Sequence, residues 1–231
     1  MGIQQLLLAG SEFKATGGTI TESDGYRYHT FTSGGDFSVI SGSKNVDYLI
    51  IGGGGTGGGT TSGSGGIGGG GGGGDYVEIL NQLMTVGVYP VVVAGVAIGP
   101  ADGSINGYNS SFNGTTAIGG GGGGSKTGGS GGGAWGMSPG TYSAGGAATG
   151  ILGNAGGNHV TGGWGAAGGG GCGGAGGNNS GNTGGVGGYG LQNLLWMGGY
   201  YFCQPFRTKL APNDIGQWFT HKSTKADCHT P

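Results

Sequence analysis

The sequence predicts a mainly β protein with almost no α-helix, in which a small antiparallel, sandwich-like β unit precedes a packed bundle of polyglycine II helices. Glycine supplies 70 of the 231 residues, about four times its usual share. Short segments rich in β-branched and aromatic residues occupy the N-terminal half of the chain, and such segments are typical of strands. From Gly150 to Gly177 glycine recurs at every third position, with His159 out of step, and the repeat resumes at Gly181.

These patterns divide the chain into four regions. We expect an N-terminal attachment segment at 1–18, a β-rich unit at 19–118 that the first glycine tract interrupts, a polyglycine II region at 119–190 and a divergent C-terminal tail at 191–231. Within the β-rich unit the residue types and the intervening turn residues predict seven strands: Thr19–Thr21, Tyr26–Thr32, Phe37–Ile40, Val46–Ile51, Tyr76–Leu80, Tyr89–Ala94 and Thr115–Ile118.

The glycine repeat matches an extended left-handed helix with three residues per turn, which makes no hydrogen bonds within itself. Its N–H and C=O groups must therefore pair with neighbouring segments or stay in water. Pairing predicts a bundle, in which the glycines form edges without side chains. Collagen fits poorly, because the chain has six prolines and the glycine phase slips. A flexible linker is the other structure compatible with this composition, although such linkers rarely carry residues like Trp135, Tyr142 and Trp164.

Composition also excludes several classes of function. The net charge is −2, and eight Lys and Arg residues form no basic stripe, so we expect no nucleic-acid partner. No run of eighteen apolar residues exists, so we expect no membrane insertion. Three cysteines at unrelated spacings argue against a disulfide framework, and Cys172 is predicted only to fill a position between glycines.

Two glycine-rich motifs resemble nucleotide-binding loops, and neither has the required context. The segment VDYLIIGGGGTG (46–57) has the glycine spacing of a dinucleotide fingerprint, but that fingerprint needs a following helix, and 58–74 is too rich in glycine to form one. The segment GGGGGGSKT (119–127) also lacks a strand-to-helix context. We therefore expect no cofactor.

Catalytic and metal sites are not expected either. Cys203, His221, Cys228 and His229 lack the paired spacing of a zinc site. The four histidines and ten carboxylates form no recognisable arrangement of nucleophile, base and orienting acid. The sequence therefore predicts a protein that is not an enzyme.

Recognition by aromatic side chains is the chemistry that remains. Aromatic residues set among Asn, Ser and Gly are typical of loops that bind carbohydrate or protein. The alternative is that the same rings cap and pack the ends of the bundle. The candidate binding residues are Tyr108, Phe112, Trp135, Tyr142, Trp164 and Tyr189.

Four segments resemble the glycine-rich domain of bacteriophage tail and tail-fibre proteins: GYRYHTFTSGGDFSV (25–39), VDYLIIGGGG (46–55), YPVVVA (89–94) and NSSFNGTTAIGGGGGG (109–124). The resemblance covers about residues 17–190, and Phe202–Pro231 does not match. It implies a fibre or adhesin that meets the host surface, with receptor contacts on loops at the end of the bundle. By position, Trp135, Met137, Tyr142 and Trp164 lie in such loops.

The resemblance thus implies a non-enzymatic virion protein of a phage tail, made in the host cytoplasm. Its expected partners are other tail-fibre or virion proteins and a host cell-surface receptor, either a polysaccharide or an outer-membrane protein, and an oligomer is compatible with this role. Two other functions fit the composition. One is an ice-binding protein, and the other is a glycine-rich structural protein of a cell surface.

Overall fold

The computed structural model describes residues 12–23, 25–59, 67–99, 104–136, 141–160, 162–193 and 200–202. In these residues the chain forms strands and no helix, and so no helix in them could cross a membrane. The strands are β1 (Lys14–Thr16), β2 (Thr19–Ser23), β3 (Tyr26–Thr30), β4 (Gly35–Ser41), β5 (Lys44–Ile51), β6 (Tyr76–Met84), β7 (Gly87–Val92), β8 (Ser110–Phe112), β9 (Thr115–Ala117), β10 (Leu191–Asn193) and β11 (Tyr200–Phe202).

The described strands form antiparallel sheets. One sheet has five strands in the order β1-β4-β7-β8-β9, and three further sheets pair β2 with β3, β5 with β6 and β10 with β11. Strand β4 pairs antiparallel with β1 on one side and with β7 on the other. The prediction of a mainly β, antiparallel protein without helix is therefore confirmed for this part of the chain.

The hairpin between β8 and β9 shows how local sequence sets a turn. Asn113 and Gly114 join the two strands, with φ of 48° and 77°. Two consecutive residues with positive φ form the turn whose twist suits a two-residue hairpin, and Asn-Gly is the preferred pair for it.

Contacts divide the chain into two compact units. The sheet unit consists of the described residues within Met1–Leu49, Glu78–Val93 and Ser111–Thr115. The glycine unit consists of the described residues within Ile50–Val77, Ala94–Ser110 and Thr116–Pro231. The domain boundaries predicted at 18, 118 and 190 stay predictions.

The sheet unit has a small aromatic core. Ala15, Phe37, Val39 and Met84 are buried there. The partly buried side chains packed against them are Phe13, Phe31, Val46, Tyr89, Val91 and Phe112. The ring of Phe37 lies edge-on to that of Phe112, with 5.8 Å between the ring centroids, and such edge-to-face pairs are favourable beyond their buried area.

All seven predicted strands are present, and four strands were missed, namely β1, β8, β10 and β11. Strand β1 lies within the predicted attachment segment 1–18, and β8 lies in a segment that was left without a strand. Both have three residues, too few to show an alternating pattern. Strand β1 forms through pairing with the distant strand β4, and β8 pairs with β7 as well as with β9 in the hairpin.

Candidate functional site

The glycine segments outside the strands are held by backbone hydrogen bonds that repeat at every third residue. The N–H groups of three residues in the first tract donate to carbonyl oxygens of the segment before β6. The partner numbers fall by three as the donor numbers rise by three, so the two segments run antiparallel. The donors Gly52, Gly55 and Gly58 pair with Asp75, Gly72 and Gly69, each at 2.9 Å.

The residues between these donors bond to different neighbours. The N–H groups of Gly53 and Thr56 donate to carbonyl oxygens in the segment 105–108. The carbonyl oxygens of the same two residues accept from Gly120 and Gly123, both at 2.8 Å. One short segment is thus hydrogen-bonded to three others, whereas a β-strand bonds to two neighbours in one plane.

Glycine in these segments is required for its missing side chain. At Gly72 an added Cβ would lie closer than 3.0 Å to the carbonyl oxygens of Ser130 and Gly131. Among the glycines in the described parts of the tracts, only Gly124 and Gly181 have positive φ, and both lie in turns. The backbone at the other positions is therefore open to any residue by its φ angle, and close packing of backbone against backbone excludes side chains.

Asparagine side chains complete the hydrogen bonding where the glycine segments meet loops. Their amide oxygens accept from backbone N–H groups about twenty residues away in the chain, as a neighbouring peptide group would. Asn178 accepts from Asn158 at 2.8 Å, Asn179 from Val160 at 2.7 Å and Asn182 from Trp164 at 3.0 Å. Backbone N–H groups that have no neighbouring segment to bond with thereby obtain a hydrogen-bond acceptor.

Several loops meet at one end of the glycine unit, which we call the loop end. Gly136 and Ile67 exchange backbone hydrogen bonds there, and so do Ser143 and His159. The N–H group of Ala134 donates to Gly157, so residues 136 and 159 each lie two positions beyond a bonded pair. The loop end comprises residues 135–136, 141–143, 158–160 and 162–165.

Three of the predicted binding residues lie at the loop end. The side chain of Tyr142 is 68% exposed and that of Trp164 is 37% exposed. Trp135 is half-buried, and its indole covers the turn at Gly124, where an added Cβ would meet the ring. Met137 lies outside the described residues.

The other predicted binding residues lie elsewhere. Tyr108 and Tyr189 are exposed at the end of the glycine unit opposite to the loop end, since their carbonyl oxygens accept from Gly53 and Gly173. Phe112 packs in the core of the sheet unit, with its ring 5.0 Å from that of Tyr48.

His159 is a buried residue of the loop end that was not predicted as part of a site. It has no exposed surface. Its Nδ1 lies 2.9 Å from the carbonyl oxygen of Thr141, and its Nε2 lies 3.0 Å from that of Gly163. The one available signal was its place in the sequence, because it interrupts the three-residue glycine repeat.

Asp75 is the buried carboxylate of the opposite end. It is 1% exposed and accepts from the N–H groups of Tyr76 at 2.9 Å and Ile151 at 3.1 Å. The carboxylate thereby takes the place of a segment that would otherwise receive these bonds. It joins the end of the first tract to the loop at 150–152.

The motifs resembling nucleotide-binding loops have other surroundings. Strand β5 is followed by the hydrogen-bonded segment 52–58 and by no helix in its described residues. The ammonium group of Lys126 donates to the carbonyl oxygen of Ser104. The zinc candidates Cys203, His221, Cys228 and His229 lie outside the described residues.

Cys172 corrects one expectation from the sequence. It is buried and disulfide-bonded, so it does more than fill a position between glycines. Its Sγ lies 3.3 Å from the carbonyl oxygen of Gly74.

Comparison with known proteins identifies one family. The glycine-rich domain family matches residues 30–216, which include strands β4 to β11 and the hydrogen-bonded glycine segments. The chain belongs to this family. The resemblance noted in the sequence was expected to cover about residues 17–190, whereas the family match runs to residue 216 and so includes part of Phe202–Pro231, which was expected not to match. No curated protein and no solved structure gives a significant match to the chain.

Proposed function

We propose that this chain is a non-enzymatic virion protein of a bacteriophage tail fibre, in which a sandwich-like β unit and a bundle of polyglycine II helices display receptor-binding loops. The resemblance of its β segments to phage tail proteins suggests the virion. Other tail-fibre or virion proteins would be its partners, and residues 1–18 would attach it to them.

The period of the backbone hydrogen bonds supports the bundle. A polyglycine II helix has three residues per turn and no internal hydrogen bonds, so successive residues face three different directions. The segment 52–58 bonds in this way to three neighbours, and its bonds to 69–75 recur at every third residue. Close approach of the segments at Gly72 and Gly120 accounts for the absence of side chains at those positions.

The observation that carries the display role is the placement of Tyr142 and Trp164. Both are exposed at the loop end, although the backbone beside them is bonded to His159 and to the side chain of Asn182. An aromatic ring held by a fixed backbone loses little entropy on binding, and its face and polar edge suit sugars and protein loops alike. A surface polysaccharide or an outer-membrane protein of the host is the receptor we infer.

Replacement of the two exposed aromatic residues by alanine tests this proposal. We expect a Tyr142→Ala, Trp164→Ala double variant to bind host cells at least about tenfold more weakly than the wild type, since buried aromatic residues dominate such interfaces. Binding to a panel of bacterial cells and purified surface polysaccharides is measured with labelled protein. Tyr108→Ala with Tyr189→Ala is the matched control, because it removes two exposed rings from the opposite end.

Two results would contradict the proposal. Equal loss of binding in both double variants would show that the loop end has no special role. Wild-type protein that binds no cell or polysaccharide, and whose deletion leaves phage adsorption unchanged, would leave a purely structural tail part. Thermal hysteresis in the wild-type protein would instead favour the ice-binding alternative, and localisation to a cell wall would favour the cell-surface one.

A further inference from the structure

A long run of the chain that includes the whole loop end contains no Asp, Glu, Lys or Arg. The eight basic and ten acidic residues of the protein all lie outside residues 127–206. An average protein segment of that length carries about 20 such residues, because about a quarter of the residues in soluble domains are charged. The loop end lies within 135–165 and therefore in the interior of this uncharged run.

Burial does not account for the missing charges. Charged side chains ordinarily occupy exposed positions, and the uncharged run offers several of these. Tyr142, Ile151, Val186 and Tyr189 are each more than two-thirds exposed. A charged side chain would reach water at such positions, whereas at the closely packed glycines it would not. The exposed surface of the run is thus uncharged for a reason other than the packing of its interior.

The described residues of the loop end present a surface without ions. Their titratable side chains are those of Tyr142 and His159. His159 has no exposed surface, and the phenol of Tyr142 is a donor and acceptor of hydrogen bonds. A ligand at this surface therefore meets aromatic rings, small side chains and backbone.

An uncharged surface of this kind suits an uncharged ligand. A carboxylate or phosphate that leaves water costs free energy unless a cation or several donors receive it. Arg and Lys are the residues that ordinarily receive such groups, and the loop end contains neither. Protein surfaces are rich in charged side chains, which the loop end would also desolvate without a partner. Electrostatic complementarity therefore favours sugars that carry no acidic group.

Trp164 and Asn182 supply the two kinds of contact that such a sugar needs. Oδ1 of Asn182 accepts from the N–H group of Trp164 at 3.0 Å, which fixes the amide beside the residue that carries the indole. Asn182 is exposed, and its Nδ2 donates to no group of the described residues. The apolar face of an aromatic ring packs against the C–H groups of a sugar, and an amide donates to its hydroxyl groups.

The second exposed ring lies on a neighbouring loop. The carbonyl oxygens of Thr141 and Gly163, which precede Tyr142 and Trp164, lie 2.9 and 3.0 Å from the two ring nitrogens of His159. The backbones that carry the two aromatic side chains are thus held by the same residue. One glycan chain can therefore contact both rings.

We propose that the ligand of the loop end is a neutral polysaccharide, one built from sugars without carboxylate, phosphate or sulfate groups, whose rings stack on Tyr142 and Trp164. The inference rests on the proposed function, because the loop end is the proposed receptor-binding surface. Of the two receptor classes named there it selects the polysaccharide, and among polysaccharides it selects the uncharged ones.

Binding of the full-length protein to purified polysaccharides tests the charge of the ligand. The probes are neutral glucans, mannans and galactans, and in a second set polysaccharides with uronic acids or phosphodiesters. We expect binding to a member of the neutral set and at least about tenfold weaker binding to every acidic one. The affinity should change less than about twofold between about 50 mM and about 500 mM salt, because no ion pair is screened. Preference for an acidic polysaccharide, or binding that salt weakens strongly, would overturn the inference.

Treatment of host cells separates a polysaccharide from a protein receptor. Periodate cleaves the vicinal diols of sugars, whereas a protease removes the exposed loops of outer-membrane proteins. We expect periodate to abolish binding of the labelled protein and protease to leave it unchanged. The opposite result would identify a protein receptor and overturn the inference.

Asn182→Asp tests the amide beside Trp164. The variant keeps the oxygen that accepts from Trp164 and replaces the amide donors by a negative charge. We expect about fivefold weaker binding to the neutral polysaccharide, the effect of one lost hydrogen bond, at low and at high salt alike. Asn109→Asp is the matched control, because Asn109 is also exposed and its Oδ1 accepts from Gly119 at 2.8 Å at the opposite end. A loss in Asn182→Asp that disappears at high salt would indicate an acidic ligand and overturn the inference.

The double variant Tyr142→Ala, Trp164→Ala distinguishes failure of this inference from failure of the proposed function. If it loses binding to an acidic polysaccharide or to a protein receptor, the proposed function stands and the neutral ligand is wrong. If it binds the neutral polysaccharide as tightly as the wild type, the loop end is not the recognition surface and both proposals fall. We expect it to lose binding to the neutral polysaccharide.

Discussion

Single glycines in the hydrogen-bonded segments differ in what an added methyl group would meet. At Gly72 it would meet two backbone carbonyl oxygens closer than 3.0 Å, and at Gly57 the nearest atom is the carbonyl oxygen of Gly69 at 3.9 Å. Neither residue has positive φ, so strain of the backbone angle is not a factor. Alanine substitution at these two positions therefore tests the effect of close packing on stability, separately from the effect of the backbone φ angle.

We expect Gly72→Ala to lower the free energy of unfolding by about 2 kcal/mol, the usual size of an overpacking effect in a rigid interior. Gly57→Ala should change it by less than about 1 kcal/mol and in the stabilising direction, because alanine restricts the unfolded chain. Urea denaturation of both variants measures the difference. Equal stability of the two variants would contradict the close packing at Gly72.

The elements that join the glycine segments to the loops depend on asparagine. The amide oxygen of Asn178 accepts from the N–H group of Asn158 at 2.8 Å, although the asparagine itself is exposed. We expect Asn178→Ala to speed the hydrogen exchange of the Asn158 amide about fivefold, since one hydrogen bond of this kind contributes about 1 kcal/mol.

The matched variant for this position is Asn178→Asp, which keeps an oxygen in the same place. Its Asn158 amide should exchange as slowly as in the wild type. Fast exchange in both variants would show that another property of the asparagine protects the amide.

The elements also show how far the sequence can predict this protein. Strands such as β5 and β6 were predicted, because their residue types and turns are local signals. The pairing of 52–58 with 69–75 was not, because every position in a glycine repeat is alike and the choice of partner carries no sequence signal. The hydrogen-bond partners of the asparagines and of His159 were also missed. These partners are backbone N–H and C=O groups, which every residue in such a segment carries, so the sequence does not distinguish one of them from another.

For the molecule as a whole, backbone bonds replace much of the usual apolar interior. Buried apolar residues are few in the described chain, and large ones such as Ile151, Val186 and Tyr189 are exposed. The heat-capacity change of unfolding is dominated by newly exposed apolar surface, and ordinary proteins give about 12–15 cal/mol/K per residue. A protein with so little buried apolar surface should show a smaller heat-capacity change per residue.

We therefore expect scanning calorimetry to give a heat-capacity change well below about 3 kcal/mol/K, the value that an ordinary protein of this length would show. The aromatic core of the sheet unit, around Phe37 and Met84, supplies most of what is measured. A value at or above the ordinary one would mean that the glycine segments unfold with a conventional release of apolar surface.

Because the glycine segments are held together through their backbones, mutations in these segments and mutations in the loops have different effects. Mutations inside the segments fall into two kinds, those that remove a glycine where no methyl group fits and those at positions such as Gly57 where one does. Neither kind of mutation can adjust the packing of these segments in small steps, because their interior contains almost no side chains to substitute. Diversification is thereby directed to the loops, where a change such as the loss of Tyr142 alters what the surface presents without altering the segments that support it.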